Sequence, residues 1–321
     1  MVGTRTQPSP SPRPGAAGLP GDPDGLPGDP DGLPLVMGIV NVTPDSFSDG
    51  GRWAERDAAV AHARELVAAG AHLLDVGGES TRPGSDRVPE DEELRRVVPV
   101  VHALAEQGWC VSVDTMRASV AAASIEAGAS LINDVSGGQA DPDMFRVVAE
   151  AQVPYVLMHW RGHSQDMYGG ARYDDLTGEV LDELARQLDR AVAAGVRAQD
   201  VVLDPGFGFA KTAAHNWRLL GEIERFVGGA TGLGCASLIG VSRKGFLGQV
   251  REGSAAQGGQ PLPPVGRDLA TAATSVLSAQ AGAWSVRVHD VQGTVDALGV
   301  LRLAGRAATP DTSAATPGGG A

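Results

Sequence analysis

Eight short apolar runs, each followed by a longer amphipathic stretch, set the strongest limit on what this chain can fold into. The runs are VMGIV (36–40), HLLDVG (72–77), CVSVD (110–114), SLINDVS (130–136), YVLMH (155–159), VVLDP (201–205), SLIGVS (237–242) and SVRVHD (285–290). Ala-rich stretches of helical character lie near 56–69, 91–107, 117–127, 142–151, 175–194, 213–226, 267–281 and 293–304. The runs are apolar almost throughout rather than alternating, as parallel strands covered on both faces must be. Eight strand-then-helix units in about 270 residues predict a (β/α)8 barrel, the TIM-barrel architecture, as one domain over 35–304. A doubly wound open sheet is the competing α/β arrangement, but no G-x-G-x-x-G follows the first strand.

The flanks read differently. Residues 1–34 hold nine of the 21 prolines and contain GDPDGLP twice, at 21–27 and 28–34. A segment with few apolar groups and few backbone donors cannot repay its ordering entropy, so a disordered arm is expected there, with a partner-binding tail as the alternative. Residues 305–321 are expected to be a disordered tail, and 251–265 a mobile loop within the domain.

Composition excludes several function classes. A formal charge of −13, from 39 acidic and 26 basic residues, opposes nucleic-acid binding but leaves room for a local cationic cluster facing a small anion. Cys110 and Cys235 are the two cysteines, too few for a disulfide framework or a Cys-based zinc site, which suits a reducing cytoplasm. The N-terminus does not read as a signal peptide, and no run approaches the ~20 apolar residues needed to span a bilayer. No H-E-x-x-H, C-x-x-C or G-x-S-x-G occurs, and GFGFAKT (206–212) departs from the phosphate-loop spacing.

Polar residues instead gather at the strand ends, where a barrel of this kind places its active site. Asn41 follows strand one, Asp75 to Arg82 strand two, and Asp114 ends strand three. Asn133 and Asp134 lie in strand four, His159 ends strand five and Asp204 strand six. Ser242 to Lys244 follow strand seven, and Arg287 and His289 lie two apart in strand eight. Carboxylates and an amide converging at one mouth suit a flat heterocycle with a guanidine-like edge, since one carboxylate can take two parallel N–H bonds. For each aspartate alone, a helix N-cap is the plainer role. The pair Arg287 and His289 suits an anion, with a surface ion pair as the alternative. The Gly-, Ser- and Pro-rich loops 41–51 and 77–85 have the composition of active-site covers, or simply of long turns.

These segments resemble dihydropteroate synthase, the pterin-binding enzyme of folate biosynthesis. The resemblance rests on GIVNVTPDSFSDGG (38–51), DVGGESTRPG (75–84), SVDTMR (112–117), INDVSGG (132–138), LMHWRG (157–162), LDPGFGFAKTAAHN (203–216), SRKGFLG (242–248) and RVHDV (287–291), in order over about 35–303. It implies condensation of 6-hydroxymethyl-7,8-dihydropterin diphosphate with p-aminobenzoate, assisted by Mg2+, in a homodimeric enzyme that sulfonamides inhibit. Matched residue by residue, Asp114, Asn133, Asp204 and Lys244 would hold the pterin. Asn41, Thr81, Arg287 and His289 would hold the diphosphate, Asn41 also standing near the metal. Arg82, Pro83, Phe209, Lys244 and Gly245 would border the p-aminobenzoate. Asp114, Asp204, Lys244 and Arg287 are the expected catalytic residues. Some relatives carry Ser where this chain has Gly245, which would leave the carboxylate of the amine to backbone N–H groups and a following helix N-terminus. A corrinoid-dependent methyltransferase barrel and a catalytically silent paralogue remain the competing readings.

Overall fold

The computed structural model describes residues 26, 28–29, 31–42, 51–79, 88–162, 171–251 and 262–308. Eight parallel strands close into a barrel in sequence order: β1 (Leu35–Asn41), β2 (Leu73–Gly77), β3 (Val111–Asp114), β4 (Leu131–Asp134), β5 (Tyr155–Met158), β6 (Val201–Asp204), β7 (Ala236–Ile239) and β8 (Ser285–Val288). Closure is made by β1 pairing with β8, Leu35 opposite Ser285 and Met37 opposite Arg287. The (β/α)8 expectation is met. The outer ring is α1 (Gly51–Ala68), α2 (Glu90–Ala105), α3 (Ala118–Glu126), α4 (Met144–Ala151), α5 (Leu176–Ala193), α6 (Ala213–Gly221), α7 (Ile223–Gly232), α8 (Asp268–Gln280) and α9 (Val291–Ala308).

Two helices stand between β6 and β7 where the sequence suggested one over 213–226. The break is at Glu222 (φ −105°, ψ 20°), whose carboxylate accepts the Thr177 hydroxyl at 2.6 Å and the Arg218 Nε–H at 2.9 Å. Those ties fix a bend that local propensity does not dictate. The last helix reaches Ala308, past the expected boundary at 304. Most of the expected arm, and the tail beyond 308, lie outside the described residues. Of the arm's end, Leu26 packs beneath the barrel and Leu33 against its outer core.

Strand alternation divides the core into layers. Val36, Val40, Leu74, Val76, Val113, Ile132, Leu157, Leu203, Val286 and Val288 face outward and join the helices in one large apolar cluster. Inside, Leu35, Met37, Leu73, Leu131, Val156, Val202 and Leu238 fill the lower barrel. Val135, Met158 and Phe209 form a small apolar patch near the mouth. Between the two interior apolar layers sits a polar one. Among the described residues no helix is long and apolar enough to cross a membrane.

Candidate active site

The polar layer is built around Asp75, a charged residue in an otherwise apolar strand. It is fully buried and accepts the Ser112 hydroxyl at 2.6 Å, the Asn133 amide at 3.0 Å and the Arg287 Nε–H at 2.6 Å. Arg287 also donates from Nη2 to Asp114 Oδ2 at 2.9 Å. Thus β2, β3, β4 and β8 are tied together by two carboxylates, an amide and one guanidinium. A charged group survives burial when it is paired and hydrogen-bonded in this way. Arg287 is therefore not a surface ion pair. It lies across the barrel interior above the lower apolar layer, with the remaining N–H groups of its fork available to an anion.

Asp204 closes the other side. Its Oδ1 accepts the Gly206 N–H at 2.7 Å. Gly206 has φ +68°, and a Cβ there would stand 2.4 Å from the His159 carbonyl oxygen, so only glycine fits this turn. Lys244 arrives from the turn after β7, which is kinked by Arg243 in the left-handed region (φ 57°) and held by the Arg243–Asp268 pair at 2.7 and 2.8 Å. The aliphatic part of Lys244 runs over Gly208, where a Cβ would stand 3.0 Å from its Cδ. Its ammonium lies 4.2 Å from the centre of the Phe209 ring, a cation–π contact.

The electrostatics follow from packing three carboxylates with two cations in a small volume. Burial pushes Asp204 up to about 6, against the Gly206 N–H and the Lys244 and Arg287 charges. Burial also raises Asp114; Arg287 opposes the rise and Asp75 adds to it. Burial and then Arg287 pull Lys244 down to about 8, with Asp204 and Asp114 resisting. Perturbation on this scale, at several groups that act on one another's charge, marks a functional site.

His289 stands one residue beyond β8, on the same side as Arg287. Ser242, after β7, accepts the His289 N–H at 3.1 Å and lies 2.9 Å from its Nδ1. A hydroxyl that gives its proton to Nδ1 leaves the ring proton on Nε2. Asn41 is the last residue of β1, opposite Gly77 in the register. Gly245 is exposed at the start of a 3-10 segment (Gly245–Arg251), so the helix expected to begin beside it is a short 3-10 run rather than an α-helix.

Some residues placed in the ring by sequence face away from it. Asp134 and His159 follow the outward phase of their strands. Asp134 accepts Ser136, Gly138 and Tyr155 Oη between 2.7 and 2.8 Å. His159 turns to Glu183 on α5 and to Lys211. The loop residues Thr81, Arg82 and Pro83 lie outside the described residues. Sequence reasoning missed Asp75 as the hub, although an aspartate inside an apolar strand is itself the signal. It also missed the network at the foot of the second loop. There Arg117 pairs with Glu79 at 2.9 Å and with Glu93, and donates to the Val88 carbonyl.

The sequence profile of the family described as "Pterin binding enzyme" matches residues 37–289. A dihydropteroate synthase of Mycobacterium leprae is 52% identical over 267 residues, covering 83% of this chain and 92% of that protein. A crystal structure of the Xanthomonas albilineans dihydropteroate synthase with 4-aminobenzoic acid has TM-score 0.74 and 43% identity, covering 87% of this chain and 94% of the other. The same enzyme in complex with 7,8-dihydropteroate has TM-score 0.74 and 41% identity, covering 87% and 95%.

Proposed function

This chain belongs to the dihydropteroate synthase family of pterin-binding enzymes, and from that premise we propose how its own residues carry the condensation. The substrates are 6-hydroxymethyl-7,8-dihydropterin diphosphate and p-aminobenzoate; the products are 7,8-dihydropteroate and diphosphate. The single observation that carries the reading is the polar layer inside the barrel, where hydrogen bonds and mutual charge bring Asp75, Asp114, Asn133, Asp204, Lys244 and Arg287 into one cluster.

Asp204 and Asn133 accept from and donate to the pterin's amide and amino edge, with Asp114 beside them. Arg287 and the Nε2–H of His289 donate to the diphosphate. The bond from the pterin methylene to the diphosphate oxygen breaks, and its electron pair leaves with the oxygen. The aniline nitrogen supplies the pair for the new C–N bond and then loses a proton to solvent or diphosphate. A neutral aromatic amine is already a nucleophile, which accounts for a site rich in charge that, among the described residues, contains no nucleophile–base pair. The displacement is loose and SN1-like: ionised Asp204 stabilises positive charge on the pterin, and the cations stabilise the departing anion.

The donor set fits Mg2+ shared with the substrate. Asn41 offers one neutral amide oxygen at the mouth, and among the described residues no group of three or more His, Cys, Asp or Glu surrounds a metal position. A hard cation that keeps its waters and takes oxygens from phosphate asks little more of the protein. When bound, Mg2+ would offset charge on the leaving diphosphate. Leu269 on α8 and Val300 and Leu303 on α9 are large, exposed apolar residues on neighbouring helices, and they support a homodimer through that face. The free cysteines Cys110 and Cys235 suit a cytoplasmic enzyme.

Mixing the two substrates with Mg2+ should yield dihydropteroate and an equal amount of diphosphate, and chelation should stop both. Pterin diphosphate labelled at the bridging oxygen should scramble its label without the amine. Absence of scrambling, together with rates that climb steeply with amine basicity, would replace the loose displacement with an associative one.

A further inference from the structure

One buried cation has no part in that chemistry. Lys211 is 1% exposed and its Nζ meets three acceptors: His159 Nδ1 at 3.0 Å, the Gly206 carbonyl at 3.2 Å and the Phe209 carbonyl at 3.2 Å. Burial pulls Lys211 down to about 7 while Asp204 resists, and the geometry favours the charged form: an ammonium has three protons for these three acceptors, whereas a neutral amine would turn its lone pair on one of them. Because Nδ1 accepts, the proton of the neutral imidazole stands on Nε2, which donates to Glu183 at 3.0 Å. Burial, with Lys211 second, holds His159 down to about 4, so the ring stays neutral. Glu183 is fixed in turn by Arg161, 3.1 Å from Nε. The result is a chain from α5, through the end of β5, to the underside of the loop between β6 and α6.

That loop needs a clamp. Gly206, Gly208 and Ala210 all lie in the left-handed region, at φ 68°, 76° and 48°, and Ala210 pays a strain that glycine would not. Asp204 is secured by the sheet, since the His159 N–H donates to its carbonyl at 2.9 Å. Phe209 has no such support from a strand. Its carbonyl is one of the two that Lys211 grips, and its ring packs with Met158 and Val135 while facing the Lys244 ammonium.

We propose that Lys211, oriented by His159 and Glu183, is a positioning residue for the aromatic-amine subsite, fixing the loop so that the Phe209 ring stays over Lys244. The inference rests on the reading of this site as that of a dihydropteroate synthase. Its signature is a split in steady-state kinetics between the two substrates. Lys211→Met should raise the KM for p-aminobenzoate about tenfold, with kcat and the KM for pterin diphosphate within about twofold of wild type. His159→Leu should reproduce that shift. His159→Asn places an amide oxygen where Nδ1 stood and should restore the wild-type KM. An unchanged KM for p-aminobenzoate in Lys211→Met, equal changes for both substrates, or a His159→Asn enzyme as impaired as His159→Leu would overturn the proposal. If Lys211→Met does not fold, the His159 pair makes the same decision. A wild-type protein that forms no dihydropteroate would instead overturn the functional reading and this inference with it.

Discussion

Replacing Asp204 by Asn should trade activity for stability, and both sides of the trade can be sized. The carboxylate is 6% exposed, and Asn keeps the bond from Gly206 N–H to Oδ1. What changes is Oδ2, which lies beside Gly240, 3.4 Å from where a Cβ on that glycine would stand. An amide there is a donor facing the N–H edge of the pterin, so a charge-assisted bond is lost and a donor–donor clash replaces it. That loss is worth ~3 kcal/mol, or roughly a 150-fold fall in kcat/KM for the pterin diphosphate. Stability moves the other way. Burial raises the Asp204 pKa from 3.8 to about 6 in the folded protein, so the native state binds this proton more tightly than the unfolded chain does. A raised carboxyl pKa costs stability that is absent below the unfolded value, grows as pH rises between the two values, and is complete above the folded one. At pH 7.5 the cost is up to ~3 kcal/mol, and a neutral amide relieves much of it. Thermal unfolding of Asp204→Asn should therefore rise by a few degrees while turnover collapses. A variant with near-normal kcat/KM, or one that loses activity only because it melts earlier, would refute the assignment of Asp204 as the ionised pterin acceptor.

Other consequences can be read from the same cluster. The pH profile of kcat/KM should be a bell, falling on the acid side as Asp204 gains a proton near 6 and on the alkaline side as Lys244 loses one near 8; a flat profile between pH 5 and 9 would contradict both roles. Arg287→Ala should weaken pterin diphosphate and, to a smaller degree, phosphate-free pterin, because it strips Asp75 and Asp114 of their shared cation. Calorimetric titration with the two ligands measures the difference, and equal losses for both would place the anion elsewhere. Gly245→Ser introduces a Cβ with nothing within 4 Å, so folding should be untouched while the KM for p-aminobenzoate falls severalfold through a new hydroxyl contact. An unchanged KM would remove Gly245 from the amine subsite.

The barrel was legible in the sequence because its physical cause is local: strands buried on both faces must be apolar, and eight such runs leave few architectures. The polar layer was legible in part for the same reason. Asp114, Asn133 and Asp204 are conspicuous at the ends of apolar strands, and the structure turns all three inward. Asp134 and His159 are equally conspicuous but sit on the opposite phase of the pleat, which a short run without alternation does not reveal. The pairing of Asp75 with Arg287 spans 212 positions and exists only because the barrel closes. Lys211 read as the remnant of a failed phosphate loop because its partner His159 is 52 positions away. The break at Glu222 was hidden likewise, its cause being Thr177 on another helix. Where a residue's environment comes from closure or from a neighbouring helix, no window of sequence contains it.

The most direct measurement is a crystal structure of this chain soaked with pterin diphosphate. The account requires the ring's amide and amino edge on Asp204 and Asn133, with the diphosphate oxygens within hydrogen-bond distance of Arg287 and His289. A diphosphate bound away from both cations, or a pterin lodged outside the layer centred on Asp75, would contradict it.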